Sequence, residues 1–222
     1  MTNPIDAAIE AAKQQAAVAT AGVPATTQPQ ATAVAPIKAG PLTLDDLTQG
    51  GMNVNDWLKV TEFGLLVASH TDKLFSFAEF RLDTSKVQAC EVIKFGNPAT
   101  YLKTYDRVVC TAGGTWQEAL NRAAQVQPGV RPYQSADLPL EVIGDLKSMD
   151  GTLLAKDGDI LGHSTSTTNY KNLSALMREL KEKKQLGAVI KVKVGYEKRT
   201  NVAKNTWGIL TFELLEILEE VA

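Results

Sequence analysis

Cysteine and histidine are scarce in this sequence of 222 residues, which contains two of each. Two cysteines are too few for a disulfide framework in a chain of this length, so we expect Cys90 and Cys110 to be reduced and to act as small apolar residues. Neither His70 nor His163 has a cysteine or carboxylate at a metal-ligand spacing. The sequence therefore predicts neither a metal site nor a cofactor.

Familiar catalytic motifs are missing as well. The chain has no Gly-x-Ser-x-Gly elbow, no P-loop and no dinucleotide fingerprint. Asp150, Asp157 and Asp159 lie close together and could suggest a metal-dependent nuclease. Two of them precede glycine, however, and Asp-Gly is a strong turn signal that explains them without a metal. We therefore expect turns at these positions and do not expect an enzyme.

Long hydrophobic runs are also missing. No apolar run approaches the ~20 residues that a membrane-spanning helix needs. The N-terminal residues lack the basic region and apolar core of a signal peptide. We expect a cytoplasmic protein without membrane contact, located in the host cytoplasm if it is viral.

Charge is nearly balanced overall, with a formal net charge of −2, but it is uneven along the chain. Residues 171–204 contain ten basic and three acidic side chains, and the four charged residues that follow are all glutamate. A basic segment of this kind favours a polyanionic partner. The alternative for the part at 178–184 is the solvated face of a helix.

The composition divides the chain into two parts. Residues 11–41 are mostly alanine, glutamine, threonine, valine and proline and include no aromatic residue. Such a segment buries too little apolar surface to offset its ordering entropy. We predict a disordered low-complexity tail over 1–41 and a single globular, β-rich domain over 42–222.

Hydrophobic periodicity predicts several strands and two helices within that domain. Thr115 and Glu118 have the spacing of a capping box at the start of a helix over 116–124. Asn169 or Ser174 is expected to cap a second helix that ends near residue 184, with Leu173, Leu176, Met177 and Leu180 as its buried stripe. The predicted strands lie at 73–82, 87–95, 101–110 and 138–146, followed by a hairpin of 189–196 with 207–214.

This order of elements predicts a mainly β fold with helices, in the α+β class. A helix before a terminal hairpin fits an OB-like five-stranded barrel, in which the segment near 96–137 is an insertion. An unrelated α+β sandwich fits the same elements.

Aromatic and basic residues alternate in two places, and single-stranded nucleic acid is bound by such combinations of rings and cations. In the hairpin, lysines share one strand face, and a polar loop at 197–205 brings further cations between two aromatic residues. On a strand at 101–107, two tyrosines and two cations would point the same way, and the loop near 131–133 would extend them. In both places the alternative is that the aromatic rings are packed in the core. The candidate nucleic-acid-binding residues are Tyr101, Lys103, Tyr105, Arg107, Arg131, Tyr133, Lys191, Lys193, Tyr196, Lys198, Arg199, Lys204 and Trp207.

The helix and hairpin up to residue 214, the basic pair Lys198 and Arg199, and the acidic, apolar terminus at 213–222 resemble the phage and bacterial single-stranded DNA-binding proteins of the OB-fold type. The resemblance covers roughly a third of the chain. It implies sequence-independent coating of single-stranded DNA during replication or recombination, as an oligomer, with the acidic C-terminus contacting other replication or recombination proteins.

Two features depart from the bacterial pattern. The low-complexity segment precedes the domain instead of following it, and the chain has no Pro-Phe ending. The acidic terminus is therefore equally consistent with the end of the last strand. A structural or assembly domain that interacts with other proteins is the alternative function, and the long N-terminal arm favours it.

Overall fold

The computed structural model describes residues 52–221, so the predicted tail over 1–41 lies outside the described residues. The helices of this part are α1 (Trp116–Val126) and α2 (Thr167–Glu182), and a 3-10 turn spans Thr84–Lys86. The strands are β1 (Asp56–Val60), β2 (Leu65–Val67), β3 (Phe77–Asp83), β4 (Gln88–Phe95), β5 (Thr100–Thr104), β6 (Tyr133–Val142), β7 (Leu146–Lys147), β8 (Leu153–Ala155), β9 (Ile160–Ser164), β10 (Val189–Thr200) and β11 (Thr206–Glu219).

Nine of these strands form one sheet in the order β11-β10-β3-β6-β9-β1-β2, and β4 joins it by pairing with both β5 and β6. Strand β6 is the branch point, because its first half pairs with β4 while its end pairs with β3. The pairing of β1 with β9 is parallel, and the other strand pairs are antiparallel. The predicted β-rich α+β class is confirmed. Within residues 52–221 the strand ladder does not close into a barrel.

The core is formed by one face of this sheet and by helix α2. Ile190, Val192 and Val194 alternate along β10 and are completely buried, as their period of two requires. The predicted stripe of α2 is confirmed: Leu173, Leu176 and Leu180 are buried in the same cluster, and Met177 packs against it. Full burial of each large apolar side chain contributes about 1.5–3 kcal/mol.

Helix α2 begins earlier than predicted, and the reason is a hydrogen bond to the edge of the sheet. Ser166 is the N-cap, and its hydroxyl accepts the amide of Asn169. Asn169 is buried because its side-chain oxygen accepts the backbone N–H of Leu210 at 2.9 Å, and Asn172 donates to the carbonyl of Leu210 at 2.6 Å. The helix therefore covers part of the exposed edge of β11, which would otherwise present unpaired backbone groups.

The segment at 96–137 contains β5, α1 and the start of β6. The capping box of Thr115 and Glu118 is confirmed, with both reciprocal hydrogen bonds present. Helix α1 packs Trp116 and Ala119 against β4 and β5, and these residues belong to a second apolar cluster, separate from the main core. The cluster buries one face of β4 and β5 and leaves their opposite face open.

Two strand boundaries differ from the sequence prediction in ways that affect the candidate residues. Strand β5 ends at Thr104, not at residue 110, because the carboxylate of Asp106 accepts the amides of Val108 and Val109 and Arg107 adopts a φ of 62°. Val108 and Val109, which follow the end of the strand, are exposed. In the hairpin, by contrast, β10 continues to Thr200, so the first four residues of the predicted loop at 197–205 are strand and the turn is confined to 201–205.

The starts of two further strands also differ from the sequence prediction. Strand β3 begins at Phe77 instead of residue 73, and β6 begins at Tyr133, five residues before the predicted start at 138. The two Asp-Gly turns are confirmed, since Gly151 and Gly158 have φ values of 84° and 82°.

Candidate nucleic-acid interface

The open face of β4, β5 and β6 forms one side of a groove whose other side is the start of α2. In register, Val92 of β4 lies between Lys103 of β5 and Tyr133 of β6, and Lys94 lies opposite Tyr101. The groove has a volume of about 630 Å³. Its lining residues are Val92, Lys94, Tyr101, Lys103, Thr111, Tyr133, Ser135, Ser164, Thr165, Ser166 and Thr167.

Tyr101 presents an open aromatic ring at this groove. Its side chain is 58% exposed, and Lys94 Nζ lies 5.3 Å from the ring centroid. Tyr133 is half-buried, and burial raises its pKa, with a smaller contribution from Tyr101. One exposed ring, one half-buried ring and a neighbouring ammonium group therefore share this side of the groove.

The buried carboxylate of Asp137 fixes the positions of two further candidates, Lys103 and Tyr105. Asp137 is 2% exposed and accepts Lys103 Nζ on both oxygens at 2.8 Å, the Tyr105 hydroxyl at 2.6 Å and the Ser164 hydroxyl at 2.6 Å. Burial, together with the hydrogen bond to Asp137, raises the pKa of Tyr105. Charge-assisted hydrogen bonds of this kind hold side chains in fixed geometry. Lys103 and Tyr105 are thus preorganised, and the lysine charge is offset.

Hydroxyl groups and a helix N-terminus form the opposite side of the groove. Ser164, Ser166 and Thr167 are exposed there. The first amides of α2, on Thr167 and Thr168, have no carbonyl four residues earlier within the helix. The helix dipole also favours negative charge at this end. This side of the groove can therefore accept an anionic group such as a phosphate.

The hairpin cations are largely paired with carboxylates, which the sequence did not indicate. These pairs cross from β10 to β3, to β11, to the turn after β1, or run along β10 itself. Among residues 52–221 the ion-pair contacts do not include Lys204 or Arg131. The pairs are Lys191 with Glu79, Lys193 with Glu213, Lys198 with Glu62 and Arg199 with Glu197.

The acidic C-terminal segment forms the last part of β11. Glu213 and Glu216 stand opposite Lys193 and Lys191 in the hairpin register. Glu219, the final residue of the strand, pairs with Arg81 of β3. The carboxylates of this segment therefore neutralise the basic strand beside them, as cross-strand pairs of opposite charge do.

Of the thirteen candidates, three lie in the groove, seven lie in the hairpin, and three lie on neither surface. Tyr101, Lys103 and Tyr133 line the groove. Tyr105 donates to Asp137 but lines a separate pocket with Arg107 and Glu91. Arg107 does not line the groove, because the strand has ended, and it pairs instead with Glu91 at 2.8 Å. Arg131 is exposed just before β6 and does not line the groove. The other seven lie in the hairpin: Lys191, Lys193, Tyr196, Lys198, Arg199, Lys204 and Trp207.

Within the hairpin the two aromatic candidates differ. Tyr196 is half-buried and packs against the main core, so the packing alternative holds for it. Trp207 stands opposite Arg199 and is 40% exposed, so its ring is partly open. The prediction that both rings frame a loop is wrong because the strands continue past them.

Several groove residues were not identified from the sequence. Lys94 follows the alternation of β4 and could have been found beside Val92. The hydroxyl-bearing residues at 164–168, at the start of a helix, could also have been recognised from the sequence. Asp137 had no sequence signal, because its role depends on partners 27–34 residues away.

The aspartates that could have suggested a nuclease serve as turn residues. Asp157 accepts the amide of Gly144, and Asp159 accepts that of Lys156, each at 2.7 Å. Asp150 accepts Lys73 Nζ at 2.7 Å. Residues 52–221 contain no group of three or more side chains placed to hold a metal ion.

Neither helix of the described range is long and apolar enough to cross a membrane. Comparisons of the chain with models of known protein families, with curated proteins and with solved structures found no match.

Proposed function

We propose that this protein binds single-stranded DNA without sequence specificity, as an oligomer, in replication or recombination in a bacterial or phage-infected cytoplasm, and that the groove is its principal contact surface. The observation that carries the proposal is Tyr101, an exposed ring with an ammonium group 5.3 Å from its centroid, at the entrance of a groove of about 630 Å³. Proteins that bind single strands combine such rings, on which bases stack, with cations that follow the phosphates.

The roles of the groove residues follow from their exposure and partners. Tyr101 supplies the stacking surface, and Tyr133 extends it on β6. Lys94 in the groove and Arg131, two residues before Tyr133, have no ion pair among residues 52–221 and supply charge to phosphates. Lys103 donates to Asp137 and Ser164. We therefore assign Lys103 to shaping the wall more than to neutralising phosphate.

An OB-like barrel remains part of this proposal. Its support is the helix α2 before the terminal hairpin, and the close approach of the two ends of the sheet. A Cβ built on Gly208 of β11 would overlap the carbonyl oxygen of Thr61, directly after β1. Lys198 of β10 also lies 3.7 Å from Glu62. The ends of the sheet thus meet by contact, although no ladder joins them.

The test compares two exposed rings of equal accessibility. Tyr101→Ala should weaken binding to oligo-dT by about 1–3 kcal/mol while leaving stability nearly unchanged, because the ring stacks on a base and is not core. Phe77→Ala is the matched control: its ring is 59% exposed and has Lys193 Nζ 5.0 Å from its centroid, but it lies on β3, outside the groove. Fluorescence anisotropy and chemical denaturation are measured on both variants. Equal affinities for the wild type and Tyr101→Ala would remove the basis of the proposal.

The second candidate function is a structural or assembly domain that contacts other proteins. The pairing of the hairpin cations with carboxylates favours it, because paired charges attract a polyanion less strongly. No binding of oligo-dT at low salt, combined with concentration-dependent self-association in light scattering, would support this second candidate over the first.

A further inference from the structure

The terminal hairpin continues beyond its pairing with β3, and only its last rows extend past the turn after β1, which Gly208 and Lys198 contact. Strand β3 pairs with β10 only from Val189 to Gly195. The following rows, up to Thr200 opposite Thr206, pair only within the hairpin among the described strands. Beyond residue 195 the hairpin is therefore a two-stranded ribbon, closed by the turn at 201–205.

The turn of this ribbon is held in a fixed conformation. Asn201 donates its amide to the carbonyl of Asn205 at 3.1 Å, and its side-chain oxygen accepts the amide of Asn205 at 2.9 Å. Lys204 donates its amide to the carbonyl of Asn201 at 2.9 Å and has a φ of 62°. The side chains at the turn are thus presented on a rigid support.

Cations and one apolar residue lie at this projecting end, which we call the hairpin tip and define as residues 198–204. Val202 is fully exposed. Lys198 and Arg199 each have one carboxylate neighbour, and Lys204 has none among residues 52–221. With Glu62 and Glu197 included, the tip retains a net positive charge. Charge complementarity therefore favours an anionic partner.

The shape of the tip decides which anionic partner fits. A two-stranded β-ribbon matches the width of about 12 Å of the B-DNA major groove. In the major groove an apolar side chain at the end of such a ribbon can contact the methyl groups of thymine. Two rings lie at the base of the tip: Trp207 stands opposite Arg199, and Phe63 has Lys198 Nζ 5.7 Å from its centroid. The fully exposed side chain at the end of the turn, however, is Val202, which has no ring on which a base could stack.

We propose that the hairpin tip contacts double-stranded DNA, so that the protein binds at junctions where a duplex continues into a single strand held by the groove. This inference rests on the proposed function, because the groove supplies the single-strand contact. Lys204 supplies a phosphate contact, and Val202 contacts the base pairs.

The experiment measures the affinity of the full chain for three DNA probes at one salt concentration: oligo-dT, a blunt duplex, and the same duplex with a dT overhang. The wild type is expected to bind the overhang probe more tightly than either simple probe. Lys204→Glu should weaken binding to the duplex and overhang probes about tenfold and change oligo-dT binding less than about twofold. Lys156→Glu, the same charge change at an exposed lysine in the turn between β8 and β9, should leave all three unchanged. Val202→Asp adds a negative charge at the tip without removing a cation, and it should likewise weaken binding to the duplex and overhang probes.

The outcomes separate this inference from the proposed function. Normal oligo-dT binding with no duplex contribution, or equal duplex binding by Lys204→Glu and the wild type, would overturn the junction inference and leave the single-strand function standing. Loss of oligo-dT binding by the wild type would overturn both. Binding to phosphatidylserine vesicles that requires Val202 and Lys204, without duplex binding, would assign the tip to an anionic lipid surface and overturn the inference.

Discussion

Asp137→Asn removes a single negative charge from the groove while keeping the size of the side chain. In the wild type the carboxylate accepts two contacts from Lys103 Nζ and one each from the hydroxyls of Tyr105 and Ser164. An asparagine in its place offers one acceptor oxygen and adds a donor that faces the ammonium group. The change therefore breaks several hydrogen bonds and leaves the cation without its partner.

The exposure of Asp137 and Lys103 sets limits on the loss of stability that this change causes. Removing one member of a fully buried ion pair costs about 3–5 kcal/mol, because the remaining charge is uncompensated. The side chain of Asp137 is 2% exposed, but that of Lys103 is 23% exposed, so the ammonium group can regain part of its hydration. We expect a loss of about 2–3 kcal/mol, the lower end set by hydrogen bonds to charged groups.

Chemical denaturation of Asp137→Asn, Lys103→Met and the double variant forms a double-mutant cycle that isolates the pair. A coupling energy above about 1 kcal/mol is expected. Absorbance titration of tyrosine should also show a lower pKa for Tyr105, since one cause of its raised value is removed. Affinity for oligo-dT should be retained or increased, because the groove becomes more positive. A loss of stability below about 1 kcal/mol would refute this account of the network.

Three further outcomes are expected. Gly208→Ala should destabilise the fold by about 1–3 kcal/mol in chemical denaturation, because the added Cβ meets the backbone of Thr61, and a normal midpoint would contradict that contact. Burial lowers the pKa of His163, so the unfolded chain binds its proton more readily; stability should fall as pH drops below about 6.5, and His163→Gln should flatten that dependence in denaturation profiles. Deleting residues 2–40 should leave the melting temperature unchanged, since their composition offers little to pack, and a large decrease would show otherwise.

Elements with strong local signals were predictable from the sequence. The capping box at Thr115, the buried stripe of α2 and the hairpin from 189 onward each depend on residues a few positions apart, and all are present. Local periodicity encodes which face of an element is buried. It does not encode which strand lies beside it.

The predicted boundaries of helices and strands are wrong where a hydrogen bond to a distant residue, or a competing turn, determines where the element begins or ends. Asn169 resembled a helix cap in the sequence, but its side-chain oxygen accepts the backbone N–H of Leu210, 41 residues away. Tyr105 and Arg107 continued the alternation of Tyr101, but the strand ends before both, at Thr104, where Asp106 accepts two backbone amides of the following turn. In both cases a short polar side chain competes for backbone groups, which a hydrophobic pattern does not register.

Only some of the residues that line the groove could be predicted from the sequence. Tyr101, Lys103 and Tyr133 were selected because aromatic and basic residues occur near each other along the chain. Lys94 and the hydroxyl-bearing residues at 164–167 reach the same place through the pairing of β4 with β5 and of β6 with β9. Those pairings are long-range and leave no local mark in the sequence.

The pairing of the hairpin cations leads to a last prediction, on salt dependence. For single strands, the logarithm of the binding constant falls with the logarithm of salt concentration with a slope of about −0.7 for each phosphate contact. Contacts by all eight candidate cations would give a slope of about −5 to −6. The groove offers Lys94 and nearby Arg131, because Lys103 is held by Asp137, and this predicts a slope of about −1.4 for oligo-dT. Anisotropy titrations between about 50 and 200 mM salt separate these values. A slope steeper than about −4 would mean that the hairpin cations leave their carboxylate partners to bind the single strand, and the division of the two surfaces between single and double strands would be wrong.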